Sequence, residues 1–332
     1  MPTERSRSAR RGSLTGLSGL LVAAALVVAG VYVLLDRGVG PFPEPSGCQA
    51  RVGGVVVDLS TEQAENATVI TGVAVRRGLP ARAVSIALAT AFQESKLRNL
   101  DHGDRDSLGL FQQRPSQGWG TAAQIQDPLY AANRFYDALV RVDGYQRMRI
   151  TEAAQRVQRS GFPEAYEDHA ADGRALASAL TGWSEAGFSC VVADVGGAVA
   201  AQQPTASGLT PRARAVRRAV VATFGRQSVG GFAPGGVSTG HVEGSAHYDG
   251  RAVDIFFRPV TAPRQREGWA VAGYLVAHAE RLGVAHVIFD GRIWSARRSE
   301  SGWRAYDPPS GGGDRAVLEH RDHVHVDVVE GA

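Results

Sequence analysis

The sequence predicts a multidomain chain: an N-terminal transmembrane helix, then a mainly α domain, then an α+β domain. Three observations predict it. Residues 14–35, from Leu14 to Leu35, carry no charge. Residues 60–190 place apolar side chains at helical spacing. From residue 209 the pattern breaks into short apolar runs divided by glycine-rich turns, with helices at Arg212 to Phe224 and at 266–282. Runs such as Arg251–Phe257, Val284–Phe289 and His323–Val329 read as strands, and such a mixture is α+β.

The elements follow in order. Residues 1–13 form a basic tail with Arg5, Arg7, Arg10 and Arg11. About twenty apolar residues span a bilayer as a helix, so 14–35 reads as an anchor. Arginines before it and Asp36 after it put the N-terminus in the cytoplasm. A cleaved signal peptide is the rival. Its apolar region is normally about 7–15 residues and ends in a small-x-small site. Ala29-Gly30 is a weak site of that kind, and apolar residues continue past it. The expected location is therefore the cell membrane, single-pass, with contact to the cytoplasmic membrane through residues 14–35 and both domains extracytoplasmic. Residues 36–59 are an extended spacer with Gly38, Gly40, Pro41, Pro43 and Pro45. Residues 60–190 are the helical domain, 191–208 a linker with little charge and no aromatic residue, and 209–332 the α+β domain.

The net charge of +3 includes the four N-terminal arginines. That excludes a nucleic-acid footprint, which needs a clustered basic face. The chain has two cysteines, Cys48 and Cys190, both outside the membrane in this topology. Disulfides persist there. The pair brackets residues 49–189, and the ends of a domain are often close, so a Cys48–Cys190 bridge is expected.

The C-terminal end carries the strongest chemistry. Ser245-Ala-His247-Tyr-Asp-Gly-Arg-Ala-Val-Asp254 is followed by Glu319-His320-Arg-Asp322-His323-Val-His325-Val. A hydrolytic zinc centre takes three protein ligands from His and carboxylate and keeps one position for water. An acid three residues before the last His is placed to accept a proton from that water. His323 and His325 are two apart, so on a strand both face one way. Four of the nine histidines (His247, His320, His323 and His325) fall in these two segments, and His241 stands just before the first. His241 and His320 read as bystanders.

These residues resemble the zinc D-alanyl-D-alanine carboxypeptidase family, whose pattern is S-x-H-x-x-G-x-A-x-D and, later, an acid and a zinc-binding His. The match is Ser245, His247, Gly250, Ala252 and Asp254, then Asp322-His323-Val324-His325. The resemblance covers about 209–332. It implies a zinc-peptidase-like fold, His247, Asp254 and His325 as zinc ligands, and Asp322 as general base. It implies His323 and Ser245 as neighbours that hold the substrate or the oxyanion. Many members place an arginine upstream of the first His. Gly230-Gly-Phe-Ala-Pro-Gly-Gly stands there instead, which leaves Arg226 or Arg258 for that role, or a weak or absent activity.

The helical domain holds a second candidate. Pro80 to Ser95 reads as a helix with Pro80 in its first turn and Glu94 at its C-terminal end. The helix dipole disfavours negative charge there, which suits an acid that hands a proton to a glycosidic oxygen. Downstream lie Ser107-Leu-Gly109-Leu-Phe-Gln112-Gln-Arg-Pro115, Ala153-Ala-Gln155-Arg, and Tyr166. This resembles the lysozyme-like lytic transglycosylases over about 60–190. The resemblance implies Glu94 as catalytic acid and Gln112, Gln155 and Tyr166 as sugar-binding residues. Asp106 replaces a motif glycine, and Ala154-Gln155-Arg156 replaces the usual A-Y-N. Asp101, Asp104 and Asp106 read as a solvated polar loop or a turn held by side-chain bonds.

The two resemblances meet on one polymer. The expected function is a membrane-anchored peptidoglycan-remodelling hydrolase with a zinc cofactor, cutting glycan strands in the helical domain and stem peptides in the C-terminal one. The alternative is an inactive wall-binding scaffold built from the same folds. Regulatory protein partners stay unknown at this level.

Overall fold

The computed structural model describes residues 46–193, 200–310 and 313–331. The anchor expected at 14–35, the tail before it and the start of the spacer lie outside the described residues. Among the described residues no helix is long and apolar enough to cross a membrane. They form one mixed α/β unit rather than a membrane helix followed by a mainly α domain and a separate α+β domain. The expected fold class is thereby corrected for the described residues: a mixed α/β unit replaces a mainly α domain joined to a separate α+β domain.

The helical region begins as sheet. β1 (Gly47–Val52) and β2 (Val55–Leu59) fall where a spacer was expected and form a hairpin, and β3 (Phe188–Val191) pairs antiparallel with β1. Val55-Val-Val-Asp-Leu suits a strand in composition. Its sheet is completed by β3, far along the chain, which local patterning cannot reveal. Cys48 stands directly opposite Cys190 in the β1–β3 register, and the two form the expected disulfide. Closing a loop of that length stabilises by about 2–5 kcal/mol.

The main helices of this region are α1 (Thr61–Arg76), α2 (Ala81–Ser95), α3 (Pro128–Leu139), α4 (Ile150–Gln158) and α5 (Ala170–Leu180). Ser60 starts α1 with a capping box: its hydroxyl accepts from Gln63 N–H while the Gln63 side chain accepts from Ser60 N–H. α2 is buried along most of its length, from Ala83 to Phe92, because apolar residues surround it. Pro80 stands just before it, one position earlier than expected. Lys96, at φ 55°, ends it in the left-handed region and so leaves Glu94 in the last turn. Gly173 of α5 lets the two helices meet. A Cβ there would lie 2.7 Å from Ser85 O and 3.1 Å from the Ala89 Cβ.

The second region is an antiparallel six-stranded sheet in the order β4-β5-β9-β6-β7-β8. Its strands are β4 (Ser228–Gly230), β5 (Ala252–Phe256), β6 (Val284–Phe289), β7 (Arg292–Ser295), β8 (Arg304–Ala305) and β9 (His323–Val328). Two helices, α6 (Pro211–Phe224) and α7 (Ala262–Ala277), pack on it. Alternation sorts β5, β9 and β6 into two faces. Val253, Ile255, Val324, Val326, Val287 and Phe289 join the core with Trp269 and Leu275 of α7. Asp254, His323, His325, Asp327 and His286 take the other face.

The two regions share an interface. α1 packs on α7. The Trp294 indole donates to Cys190 O at 3.1 Å and the Trp303 indole to Phe188 O at 2.8 Å, so two tryptophans of the sheet region hold the strand that closes the helical one.

Candidate metal centre and candidate glycan site

Register builds the centre. In the β5–β9 ladder Asp254 lies opposite His325, and Phe256 opposite His323. In the β6–β9 ladder His286 lies opposite Asp327. His247 comes from the loop before β5. The buried trio His247, Asp254 and His325 converges. His247 Nε2 is 3.1 Å from His325 Nδ1 and 3.2 Å from Asp254 Oδ1, and His325 Nδ1 is 3.1 Å from Asp254 Oδ1. A tetrahedral ion with bonds of about 2.0–2.1 Å holds its ligand atoms about 3.3 Å apart. The donor set therefore fits a metal, and the histidines suit an imidazole-binding transition metal.

The remaining nitrogen of each histidine ligand is engaged, as metal-ligating histidines require. His247 Nδ1–H donates to Gly231 O at 2.7 Å. His325 Nε2–H donates to Asp327 Oδ2 at 3.3 Å, and Asp327 also accepts from His286 Nδ1–H at 3.0 Å. Gly231 has to be glycine. Its φ is +78°, and a Cβ would sit 2.2 Å from His247 Cε1 and 2.9 Å from Asp254 Oδ2.

Electrostatics follow the contacts. Burial raises the Asp254 pKa, but hydrogen bonds from His247 and His325 outweigh it and hold the carboxylate well below its usual range. Burial lowers the His325 pKa, while Asp254 and Asp327 raise it, to about 9 in net. Burial and the neighbouring His323 and His325 push His320 down to about 3. An ion taken up here displaces the His325 proton, because ligation needs a neutral imidazole.

Asp322 occupies a different position from that of a free base. Its Oδ2 accepts from Arg258 Nε at 2.6 Å and its Oδ1 accepts from His323 Nδ1–H at 2.7 Å. His323 Nε2 is thereby aimed at the centre, 3.8 Å from Asp254 Oδ1. Arg258, not Arg226, lines the cleft, its guanidinium 4.2 Å above the Phe256 ring. Ser245 Oγ accepts from His247 N–H at 3.4 Å. The cleft over these residues has a volume of about 740 Å³.

Both histidines read as bystanders lie against the site. His241 stacks on His247 with ring centroids 3.8 Å apart, and His241, His247 and Asp254 form a group that can hold a metal ion. His320 packs 4.6 Å from His323, centroid to centroid. Asp327 carried a readable signal, since it lies two residues after His325 on the same alternating face. Gly231 and His286 carried none.

In the helical region Glu94 and Tyr166 meet, the Tyr166 hydroxyl donating to Glu94 Oε1 at 2.6 Å. Burial and Glu94 push the Tyr166 pKa far up, so this hydroxyl stays a donor. Gln155 donates to Ser160 O at 2.8 Å. Gln112, at φ 46°, turns its amide to His102 O and Gly109 O. Asp106 is taken by Ser116 and Arg114 and acts as a turn-holding residue.

A family model described as VldE, C-terminal domain, matches residues 205–316. That domain is related to peptidases and D-Ala-D-Ala carboxypeptidase-like proteins. The match takes in His247, Asp254 and Arg258 and stops short of Asp322, His323 and His325. It also leaves out the helical region, where the transglycosylase resemblance stands on its motifs alone. No curated protein matches the chain.

Proposed function

We propose that the chain remodels peptidoglycan outside the cytoplasmic membrane, cutting stem peptides at the His247–Asp254–His325 centre with zinc as cofactor and glycan strands at Glu94. The observation that carries the peptidase reading is the ligand triangle, with edges of 3.1–3.2 Å and the second nitrogen of each histidine tied off. Two imidazoles and a carboxylate suit zinc. When bound, such an ion supplies Lewis-acid activation of water and of an amide carbonyl. The chain's own residues do the rest. Asp322 fixes the Nδ1–H of His323 and leaves Nε2 to accept a proton from the attacking water and return it to the leaving amine. Arg258, partly exposed at the cleft, offers its guanidinium to a peptide carboxylate or to the developing oxyanion. It takes the role of the arginine that the resembled family places just upstream of the first His, where this chain carries Gly230-Gly-Phe-Ala-Pro-Gly-Gly. At the second site, Tyr166 orients the Glu94 carboxyl toward a glycosidic oxygen. A single acid fits the substrate-assisted form of glycan cleavage. The Cys48–Cys190 disulfide supports the extracytoplasmic placement.

The test is digestion of purified peptidoglycan by the full chain, with mass spectrometry of the products. Asp322→Asn should keep its metal and lose stem-peptide cleavage by about 10²–10⁴-fold. A wild-type chain that holds metal and releases no peptide fragment would instead favour the wall-binding scaffold, a reading supported by the engagement of both Asp322 oxygens.

A further inference from the structure

His241 is held over the centre by an irregular loop. Residues 231–250 contain no helix or strand. Gly235, Gly236, Gly240 and Gly244 all take positive φ, and an added Cβ at any of them would meet nothing within 4 Å. The segment is thus built to bend rather than to pack. One hydroxyl fixes it. The Tyr248 phenol accepts from His241 N–H at 3.1 Å and donates to His241 O at 2.5 Å. Both backbone polar groups of a loop histidine are satisfied by one side chain. The result holds the His241 ring parallel to His247, 17° between planes, with a ring nitrogen inside the 4.8 Å group formed with His247 and Asp254.

A tetrahedral centre has four positions, and the protein closes the fourth in structural sites but leaves it open in catalytic ones. His247 Nε2, Asp254 Oδ1 and His325 Nδ1 account for three. We infer that His241 is a displaceable fourth ligand: a latch, with Tyr248 as its catch and the flanking glycines as its hinge. The latch closes the centre at rest and must lift before a substrate carbonyl can enter. This rests on the reading of His247, Asp254 and His325 as a metal centre. If His241 merely packs on His247, the fourth position is indifferent to it.

Cobalt(II) replaces zinc in the test, because its visible absorption reports on its ligands, and azide serves as the probe of an open position. The full chain is loaded with cobalt as wild type, as His241→Ala and as Tyr248→Phe. The wild-type spectrum should be insensitive to azide. His241→Ala should shift on azide addition and bind cobalt at least about 10-fold more weakly, the lower bound for losing even an outer-shell partner. Tyr248→Phe keeps the ring, removes the catch, and should respond to azide with its cobalt affinity nearly intact. Equal azide responses and equal cobalt affinities in wild type and His241→Ala overturn the latch. Where His241→Ala does not fold, an azide-silent Tyr248→Phe overturns it as well. A wild-type chain that takes up no cobalt removes the metal reading itself and the latch with it. Cobalt uptake with an azide-accessible site removes the latch alone.

Discussion

The two candidate sites are built differently. At the candidate metal centre each of three histidines has a partner that aims it: Gly231 O for His247, Asp327 for His325, Asp322 for His323. At Glu94 a single hydroxyl, from Tyr166, does the aiming, while Gln112 and Gln155 spend their amides on backbone carbonyls. The first site is preorganised by neighbouring strands in register. The second is one acid at a helix end, and in the proposed glycan cleavage the substrate would supply what the chain does not. Preorganisation of the first kind makes a site sensitive to loss of its supporting residues. The second kind concentrates sensitivity in one side chain.

The sharpest contrast comes from crossing the two primary lesions. His247→Ala should drop metal content from one ion per chain to a small fraction, with a loss of affinity beyond the roughly 10–100-fold typical of outer-shell changes, and should abolish peptide release. Glu94→Gln should cut glycan-strand cleavage by about 10²–10⁴-fold and leave metal content and peptide release unchanged. Metal analysis and product mass spectrometry read both. A Glu94→Gln chain that still cleaves glycan at the wild-type rate would break the comparison at its weaker end.

Asp327→Asn sharpens the comparison at the supporting residues. Its amide still accepts from His325 but no longer brings a charge. Metal affinity should fall about 10–100-fold, measured by competition with a chromophoric chelator. An unchanged affinity would show that support by Asp327 adds nothing to the centre.

The smallest effect contrasts two buried histidines. His325 has carboxylates on both nitrogens and is pushed up to about 9, whereas His278 has only Tyr274 O as acceptor, lies near Arg281, and is pushed by burial down to about 3. His278 therefore binds its proton more readily unfolded, at about 6.5, than folded. Its stabilising contribution is complete above about pH 6.5 and is lost as the pH falls toward 3. Relative to His278→Gln, the wild type should lose about 2 kcal/mol between pH 7 and 4.5, measured by denaturant unfolding. Parallel pH profiles would remove His278 from the account.

Much of the centre was legible because a short motif and a strand period carry it. His247 and Asp254 sit on one side of the match, and the alternation at His323–His325 correctly places both rings on one face. The supporting residues were less legible. His241 and Gly231 reach the site through a glycine-rich loop, where no periodicity records direction. The position of Asp322 depends on Arg258, which arrives from beyond β5 in the adjacent strand connection. In the fold, β5, β6 and β9 were readable as apolar runs. β1 and β2 were not, because a short hairpin beside a proline-rich stretch becomes a sheet only with β3, which is remote in sequence. The docking of α1 on α7 likewise leaves no local trace. The same holds for its contact with α6, where Gly72 gives way to Thr223 and Phe224 and a Cβ on it would come within 2.4 Å of Thr223.

The indole bonds to β3 have an optical consequence. Trp294 is fully buried and Trp303 partly so, both donating to carbonyls of the strand that carries Cys190, and Trp269 packs edge-on to Trp303 at 5.2 Å. The boundary between the regions thus contains its own fluorophores. Any event that parts them, such as reduction of the disulfide or denaturant at low dose, would wet these indoles and shift emission to the red before the helices melt. The molecule reports its own opening without a label.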